Sequence, residues 1–457
     1  MLEKIKAGGF KMKKFLFFLT AFLITSFILL WILPVMGDFE RDPGIESPMA
    51  FMALESENFP HYSIEAIYSQ GKIYGEEEIV YTNITGQTLK HLFFMLPASA
   101  AAPGGEIKVY SVFVNDYPVE WEAKNTYLVV YLPLELNPYE KCRVSISFDT
   151  MVPQGPYRLG RWNGTSMLTC WYPAVPINWD VVVPSSFGEP YSFLSATYEL
   201  KISVDPSLMV LSGLNKLNCS FDGSRKVYTF SSDKPIRDAS LVVGNFNIKN
   251  HKVGSKNIIY AYKTYDYNII KYTIDSFKTF QKWFGEYPYQ KLVLVDVPLK
   301  GFRGMEYGGI LFFSTIKRPD PFTVVHEVAH QWWYGLVGND QDKESWIDEG
   351  LANYSALLYI EERMGKKEYL SRIKSLESRA MGVNEPKELD LSHYTSSSHY
   401  HLNAYVRGAL FWHDVRVKLG ERKKLIHILG GIQHSFIHGH ITWGEIKNIL
   451  EKENIFI

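Results

Sequence analysis

The 457-residue sequence predicts a multidomain β plus (α+β) protein behind an amino-terminal membrane anchor. Three observations carry that prediction. A long uncharged stretch lies near the amino end. Short alternating runs broken by turn residues follow, from about His61 to Lys249. After about Asn250 the apolar period becomes helical. A hydrophobic content of 46% over this length supports more than one core. The net charge is −1, from 48 basic and 49 acidic residues, and no basic stripe is present, so no nucleic-acid partner is expected.

Residues 1–14 read as a cytoplasmic tail carrying Lys4, Lys6, Lys11, Lys13 and Lys14. Phe15 to Met36, FLFFLTAFLITSFILLWILPVM, holds 22 residues without a charge. As a helix it spans roughly 33 Å, enough for a bilayer core. Asp38, Glu40, Arg41 and Asp42 follow it. The lysine bias predicts a single-pass signal-anchor in the cell membrane, amino end in the cytoplasm and all later residues outside. The competing reading is a cleaved signal peptide and a secreted protein; no Ala-x-Ala site precedes Gly37. Residues 37–59 are polar, proline-punctuated and read as a linker. Residues 60–249 contain EEEIVYTNITG, IKVYSVFVNDYPVEW, YELKISVD and RKVYTFSSDKP, which predict antiparallel strands in a β-sandwich or open saddle.

Residues 250–457 read as the second domain. Ile269 to Gly285, Asn353 to Met364, Glu368 to Met381 and Tyr405 to Leu419 have helical spacing, KLVLVDVP and ILFFS read as buried strands, and Thr442 to Glu445 forms a capping box. Cys142, Cys170 and Cys219 match no zinc ribbon or redox pair and are expected to be buried. Asn83, Asn163, Asn218 and Asn353 begin Asn-x-Ser/Thr sequons.

From Pro321 to Tyr354 the chain reads PFTVVHEVAHQWWYGLVGNDQDKESWIDEGLANY. His326 and His330 are four apart, so on a helix they share one face, a turn apart. Two imidazoles at that spacing converge on one tetrahedral cation, and Glu327 leans over the same place. That is the mechanical content of H-E-x-x-H: two zinc ligands and a carboxylate placed to take a proton from metal-held water. The pentapeptide also arises by chance on solvated amphipathic helices. A catalytic zinc takes a third protein ligand and keeps one position open. Glu349 follows His330 after eighteen residues, beyond the GLVGND loop and at the start of a second helix near Trp346. His326, His330 and Glu349 form a hydrolytic ligand set, for which one Zn2+ per chain is expected.

H-E-x-x-H, eighteen residues, then Glu inside W-x-x-E-G resembles the aminopeptidase N family of gluzincin metallopeptidases, which includes the leukotriene hydrolases. GMEYGG, Gly304 to Gly309, resembles that family's Gly-x-Met-Glu-Asn exopeptidase motif. YVRGA, from Tyr405, resembles its Tyr-x-Lys-Gly segment, and WFGEYPYQKLVLVDVP the segment leading into the exopeptidase motif. The likeness is specific over about 280–420, weaker over the β region, and does not cover the anchor. It implies a thermolysin-like, mainly helical zinc catalytic domain. It also implies Glu327 as general base and then proton donor, Tyr405 as hydrogen-bond donor to the oxyanion, Glu306 as partner of the substrate's α-ammonium, and the Gly304 and Met305 backbone as a strand that holds the peptide. The plain alternatives are a surface ion pair for Glu306 and core packing for Tyr405. The chain departs from the pattern in three places. Tyr307-Gly308 follows Glu306, Arg407 replaces the usual lysine, and TSMLTCWYP, Thr165 to Pro173, has no acid where relatives supply a second group to the amine. The sequence ends soon after its last helix, so a short form without the carboxy-terminal helical domain, and with a more open cleft, is expected.

The expected activity is therefore zinc-dependent release of amino-terminal residues from peptide substrates. An endo- or oligopeptidase on the same centre is one alternative, and an anchored, non-catalytic zinc-containing binding module is another. Nothing in the sequence fixes an oligomeric state. His393, His399 and His401, and His434, His438 and His440, are expected on solvated loops or the cleft rim rather than at a second metal.

Overall fold

Strict alternation shapes the first half of the molecule. In Lys72–Thr82, Ile73, Gly75, Glu77 and Ile79 face inward, while Tyr74, Glu76 and Glu78 face water. The computed structural model describes residues 58–177, 188, 192–385 and 388–456. The expected tail, the anchor at 15–36 and nearly all of the linker lie outside the described residues. Among the described residues, no helix is long and apolar enough to cross a membrane.

Eight strands form the main sheet, in the order Lys216–Asp222, Arg225–Ser231, Thr197–Val204, His61–Ser69, Lys72–Thr82, Lys141–Met151, Glu106–Val114 and Tyr117–Pro118. A three-stranded sheet of Leu89–Met95, Tyr127–Leu136 and Trp121–Ala123 shares its core: Leu92, Phe94, Leu128 and Val130 belong to the same buried cluster as Ile79, Val144 and Phe148. The pairing corrects the antiparallel expectation at one place. His61–Ser69 runs parallel to Thr197–Val204, from His61 opposite Thr197 to Ile67 opposite Ser203. Alternation is the same for both strand senses, and this pair closes across more than 130 residues of chain, so no turn in the sequence announces it. Cys142 and Cys170 are buried, whereas Cys219 is exposed; all three are free thiols. Cys219 lies on the outermost strand of the sheet, where one face and one edge meet water.

The second half is built on a five-stranded sheet, ordered Asn247–Val253, Lys256–Tyr262, Lys291–Val297, Ile310–Ser314 and Gly304–Tyr307. The middle three are parallel and the two edges antiparallel. Parallel strands are covered on both faces, which is why KLVLVDV and ILFFS read as continuous apolar runs. Helix α1 (Tyr267–Phe284) makes the first crossover, capped by Asp266 through the Asn268 N–H at 2.9 Å. Helix α2 (Pro321–Ala329) starts at Asp320, which accepts from Thr323 N, with Pro321 in the first turn. Helix α3 (Trp346–Met364) is buried on all sides from Trp346 to Ile360. Helix α4 (Lys366–Ala380) is amphipathic, burying only Tyr369 and Ile373. Residues 401–407 form a π-helix, followed by α5 (Gly408–Leu419). The expected α-helix from Tyr405 is thus corrected: its first three residues belong to the π-helix. The expected capping box at Thr442 and Glu445 opens the last helix, Trp443–Lys452.

The two halves are joined by a second core. A four-stranded sheet of Met209–Ser212, Leu241–Gly244, Thr165–Leu168 and Gly160–Trp162 contributes Met167 and Val242, and the five-stranded sheet contributes Val293, Val295, Met305, Tyr307 and Phe312. Arg237, fully buried, ties this junction to the far end of the chain. It donates to the carbonyls of Phe193, Gly439 and Tyr334 at 3.0, 2.8 and 3.1 Å and to His440 Nε2 at 2.7 Å. Every one of its three nitrogens donates at least one bond, which is what makes its burial tolerable.

Candidate metal centre

Helix α2 puts His326 and His330 one turn apart, and α3 brings Glu349 to them. The Nε2 atoms of the two histidines are 3.0 Å apart, and Glu349 Oε2 lies 3.3 Å from His326 Nε2 and 3.2 Å from His330 Nε2. All three side chains are buried. The outer nitrogen of His330, Nδ1, lies 2.9 Å from the carbonyl oxygen of Trp333. With the proton on Nδ1 for that bond, the Nε2 lone pair points to the centre.

The donor set fits zinc. A tetrahedral ion bound at about 2.0–2.1 Å holds its ligand atoms roughly 3.3 Å apart, close to the observed separations. The charges fit too. Burial opposes charge on His330, yet the neighbouring carboxylates of Glu306, Glu349 and Asp348 hold its pKa well above the usual histidine value. His326 goes the other way, lowered by burial and by the adjacent His330. Burial pushes the Glu349 carboxyl upward, but the two imidazoles outweigh it and hold it far below the ordinary carboxylate range. The cluster thus draws positive charge to one point, and a dication ligated there meets that demand.

Glu327, on the same helix, is buried against the strand that carries the glycine-rich motif. A Cβ built on Gly304 would meet the Glu327 carboxylate at 2.5 Å, so only glycine leaves room for it. Glu306, two residues on in the edge strand, is buried rather than on the surface, and one of its oxygens lies within 4.8 Å of a His330 nitrogen and an Asp348 oxygen. Burial raises its pKa; the charges of His330 and Arg158 oppose that rise.

Tyr405 arrives from the π-helix. Its hydroxyl donates to Glu349 Oε1, and its ring stacks on His326 with centroids 5.6 Å apart. Burial, then the Glu349 charge, keep the phenol protonated well past its usual range. Two glycines make this meeting possible. Gly350 and Gly408 touch where α3 crosses the start of α5: a Cβ on Gly350 would lie 2.8 Å from the Gly408 carbonyl carbon, and one on Gly408 would lie 2.8 Å from the Gly350 Cα. Glu349 and Tyr405 sit one and three residues from that contact. Asn353 of α3 then donates to the Tyr405 carbonyl at 3.0 Å, so this sequon asparagine is part of the scaffold.

The structure therefore brings all eight singled-out residues, Gly304, Met305, Glu306, His326, Glu327, His330, Glu349 and Tyr405, to one region around the edge strand, α2, α3 and the π-helix. Met305 is the exception in direction, since its side chain belongs to the core between the sheets. Sequence reasoning missed the clamp on the glycine turn. Gln331, next to His330, accepts from Gly309 N and donates to the Tyr307 carbonyl, both at 3.1 Å, and Asp238 of the β-rich half accepts from Gly308 N at 2.8 Å and Tyr334 OH at 3.0 Å. The signal was the Gly308-Gly309 pair, which must be held by something, though nothing in the sequence names the holder. Among the described residues, the groups able to hold a metal all include His330; none includes the histidines of 393–401 or 434–440. His440 is buried against Arg237 instead.

Residues 265–455 match the Peptidase family M1 domain. "Aminopeptidase 2" of Candida albicans is 30% identical over 198 residues, 37% of this chain and 20% of that protein. "Probable aminopeptidase 1" of Saccharolobus solfataricus is 23% identical over 377 residues, 75% of this chain and 46% of that protein. The chain thus spans less than half the length of these curated relatives. The crystal structure of the M1 zinc metallopeptidase from Deinococcus radiodurans superimposes with a TM-score of 0.68, at 17% identity, covering 87% of this chain and 90% of that one, which shows a shared fold. The M1 domain match at 265–455 encloses the ligand triad, so this part of the chain is similar to the M1 metallopeptidases in both sequence and fold.

Proposed function

We propose that this chain is a zinc-dependent aminopeptidase, held at the outer face of the cell membrane by its apolar segment at 15–36. One observation carries the catalytic part: the His326, His330 and Glu349 triad is clustered with Glu327, Tyr405 and Glu306, which supplies a base, an oxyanion donor and an ammonium partner around one centre. Zinc, when bound, supplies Lewis acidity that polarises a carbonyl and acidifies water. Glu327 takes the proton of the attacking water and returns it to the leaving amine. Tyr405 turns its hydroxyl from Glu349 to the oxygen that becomes negative in the tetrahedral intermediate, so its hydrogen bond strengthens on the way to the transition state. The open edge of Gly304–Tyr307 pairs with an extended peptide, and Glu306 takes the terminal ammonium, which sets the cut one residue from the end.

A specific observation favours a second reading, an oligopeptidase or endopeptidase on the same centre. Among the described residues, the charge that the β-rich half presents to Glu306 is not a second acid. It is the buried cation Arg158, whose carbonyl is bonded by Thr169 of the TSMLTCWYP stretch and whose charge is felt at Glu306. The test uses matched peptides with free and acetylated amino ends, with and without chelator. Chelator-sensitive cleavage of free ends alone supports the aminopeptidase; equal cleavage of both gives the second reading; a zinc-loaded chain that cuts neither overturns both. The anchor is tested separately: protease added to intact cells should remove the domain, and release of the protein into the medium would replace the anchor with a cleaved signal.

A further inference from the structure

Two imidazoles stack on the Tyr405 ring: His326 at 5.6 Å and 22°, and His401 at 4.8 Å with planes 2° apart. Tyr400 closes one edge at 5.9 Å and 80°. His401 lies four residues before Tyr405, a spacing that lines rings up in the π-helix 401–407 that holds them both. Its own ring is fixed from outside: Arg379, on α4, reaches His401 Nδ1 at 3.1 Å. A guanidinium only donates, so Nδ1 accepts and the imidazole is a neutral plate with its proton on Nε2. Burial, then the Arg379 charge, hold its pKa below the usual histidine value, in keeping with that state. His401 keeps part of its surface in solvent while its ring packs on Tyr405, and neither the zinc chemistry nor the packing of the core accounts for a flat ring at this point.

We propose that His401 is a positioning residue that, with His326, confines the Tyr405 ring by stacking, so that the phenol hydroxyl moves only in its own plane, between Glu349 and the substrate oxyanion. The inference rests on the reading of Tyr405 as oxyanion donor. Its physical basis is that a donor preset in direction needs no reorganisation when charge develops, whereas a ring free to rotate about its side-chain bonds must be ordered at that moment.

The experiment is a mutant cycle on the zinc-loaded full chain. His401→Ala should lower kcat about tenfold with KM, zinc content and melting temperature little changed. His401→Phe, which restores a flat ring, should recover most of the loss. In a Tyr405→Phe background His401→Ala should have no further effect. The proposal is overturned by a His401→Ala variant with the parental kcat, by an equal loss in the Tyr405→Phe background, by a change confined to KM, or by a Phe variant as slow as Ala. Crystal structures of the two His401 variants keep the test independent of turnover. If the parental chain cleaves no peptide, the functional reading fails on its own, while a Tyr405 ring that leaves its stack in His401→Ala and keeps it in His401→Phe still supports the clamp; an unmoved ring in both removes it.

Discussion

Glu77 in the β-rich half and Glu349 in the helix-rich half are both buried carboxylates, 2% and 7% exposed, yet their acidities move in opposite directions. Burial alone pushes the Glu77 carboxyl far up, and neither of its oxygens finds a hydrogen-bond donor among the described residues. Glu349 suffers the same burial but receives two imidazoles and the Tyr405 hydroxyl. The difference teaches how to tell a charge that a fold merely tolerates from one that it has prepared. Glu77 sits on the inward side of a strand, opposite Ile64 and Ile146, with the Tyr62 and Tyr198 phenols near enough to feel its charge but not bonded to it. The helix-rich half, by contrast, arranges further polar groups behind its carboxylates: Asp348 is held by Gln341 Nε2, by Asn339 at 3.4 Å and by the Glu349 backbone amide at 2.9 Å.

Removing the prepared charge should have the largest effect. In Glu349→Gln the ligand set loses its anion, and zinc measured after dialysis should fall from about one per chain to near zero, with hydrolysis lost as well. Retention of stoichiometric zinc would place the third ligand elsewhere. Glu327→Gln separates chemistry from metal: zinc should stay bound while kcat drops on the order of 10²–10⁴-fold. A variant with parental kcat would remove Glu327 as the base.

A subtler perturbation leaves every functional group in place. Gly350→Ala puts a methyl where α3 touches the Gly408 backbone, and helix backbones do not yield as a flexible side chain would. It should cost roughly 1–3 kcal/mol of stability and, by parting Glu349 from Tyr405, lower kcat while zinc remains bound. Urea unfolding and turnover measured together check both parts; a fully active variant of unchanged stability would mean the two helices part easily at this crossing.

That crossing also marks how far the sequence could be read. His326, His330 and Glu349 are legible because helical spacing converts directly into a shared face, and eighteen intervening residues are enough for a loop and a return. The cores of Lys291–Val297 and Ile310–Ser314 are legible for a similar reason, since an unbroken apolar run needs cover on both faces. Gly350 and Gly408 were inside the recognised motifs, but a glycine reports only that something comes close, not what. The π-helix at 401–407 left no mark, because one extra residue per turn within seven residues changes the apolar period too little to detect. The parallel pairing of His61–Ser69 and the Asp238 hold on Gly308 are long-range, and neither partner's local sequence contains the other.

Glu77 offers the smallest effect and the cleanest sign. Its folded pKa is raised above the unfolded value of about 4.3, so the folded protein holds a proton there that the unfolded chain gives up. Its contribution is therefore fully present below the unfolded pKa and is lost as pH rises through the folded one. Glu349, with a lowered pKa, gives the opposite slope: its contribution is present above the unfolded pKa and lost as pH falls. Glu77→Leu removes the first slope and leaves the second. At neutral pH it should stabilise the β-rich half by roughly 1–3 kcal/mol, because an apolar side chain replaces a buried acid that has no hydrogen-bond donor. Between about pH 5 and 8 the difference between variant and parent should widen as pH rises. Zinc content and turnover should not move, since Glu77 lies in a sheet that contributes no ligand. Denaturant unfolding across that pH range reads the slope directly. A parent and variant that stay parallel would mean that Glu77 is met by a donor in solution, and that the β-rich half, like the helix-rich one, prepares a place for its buried charge.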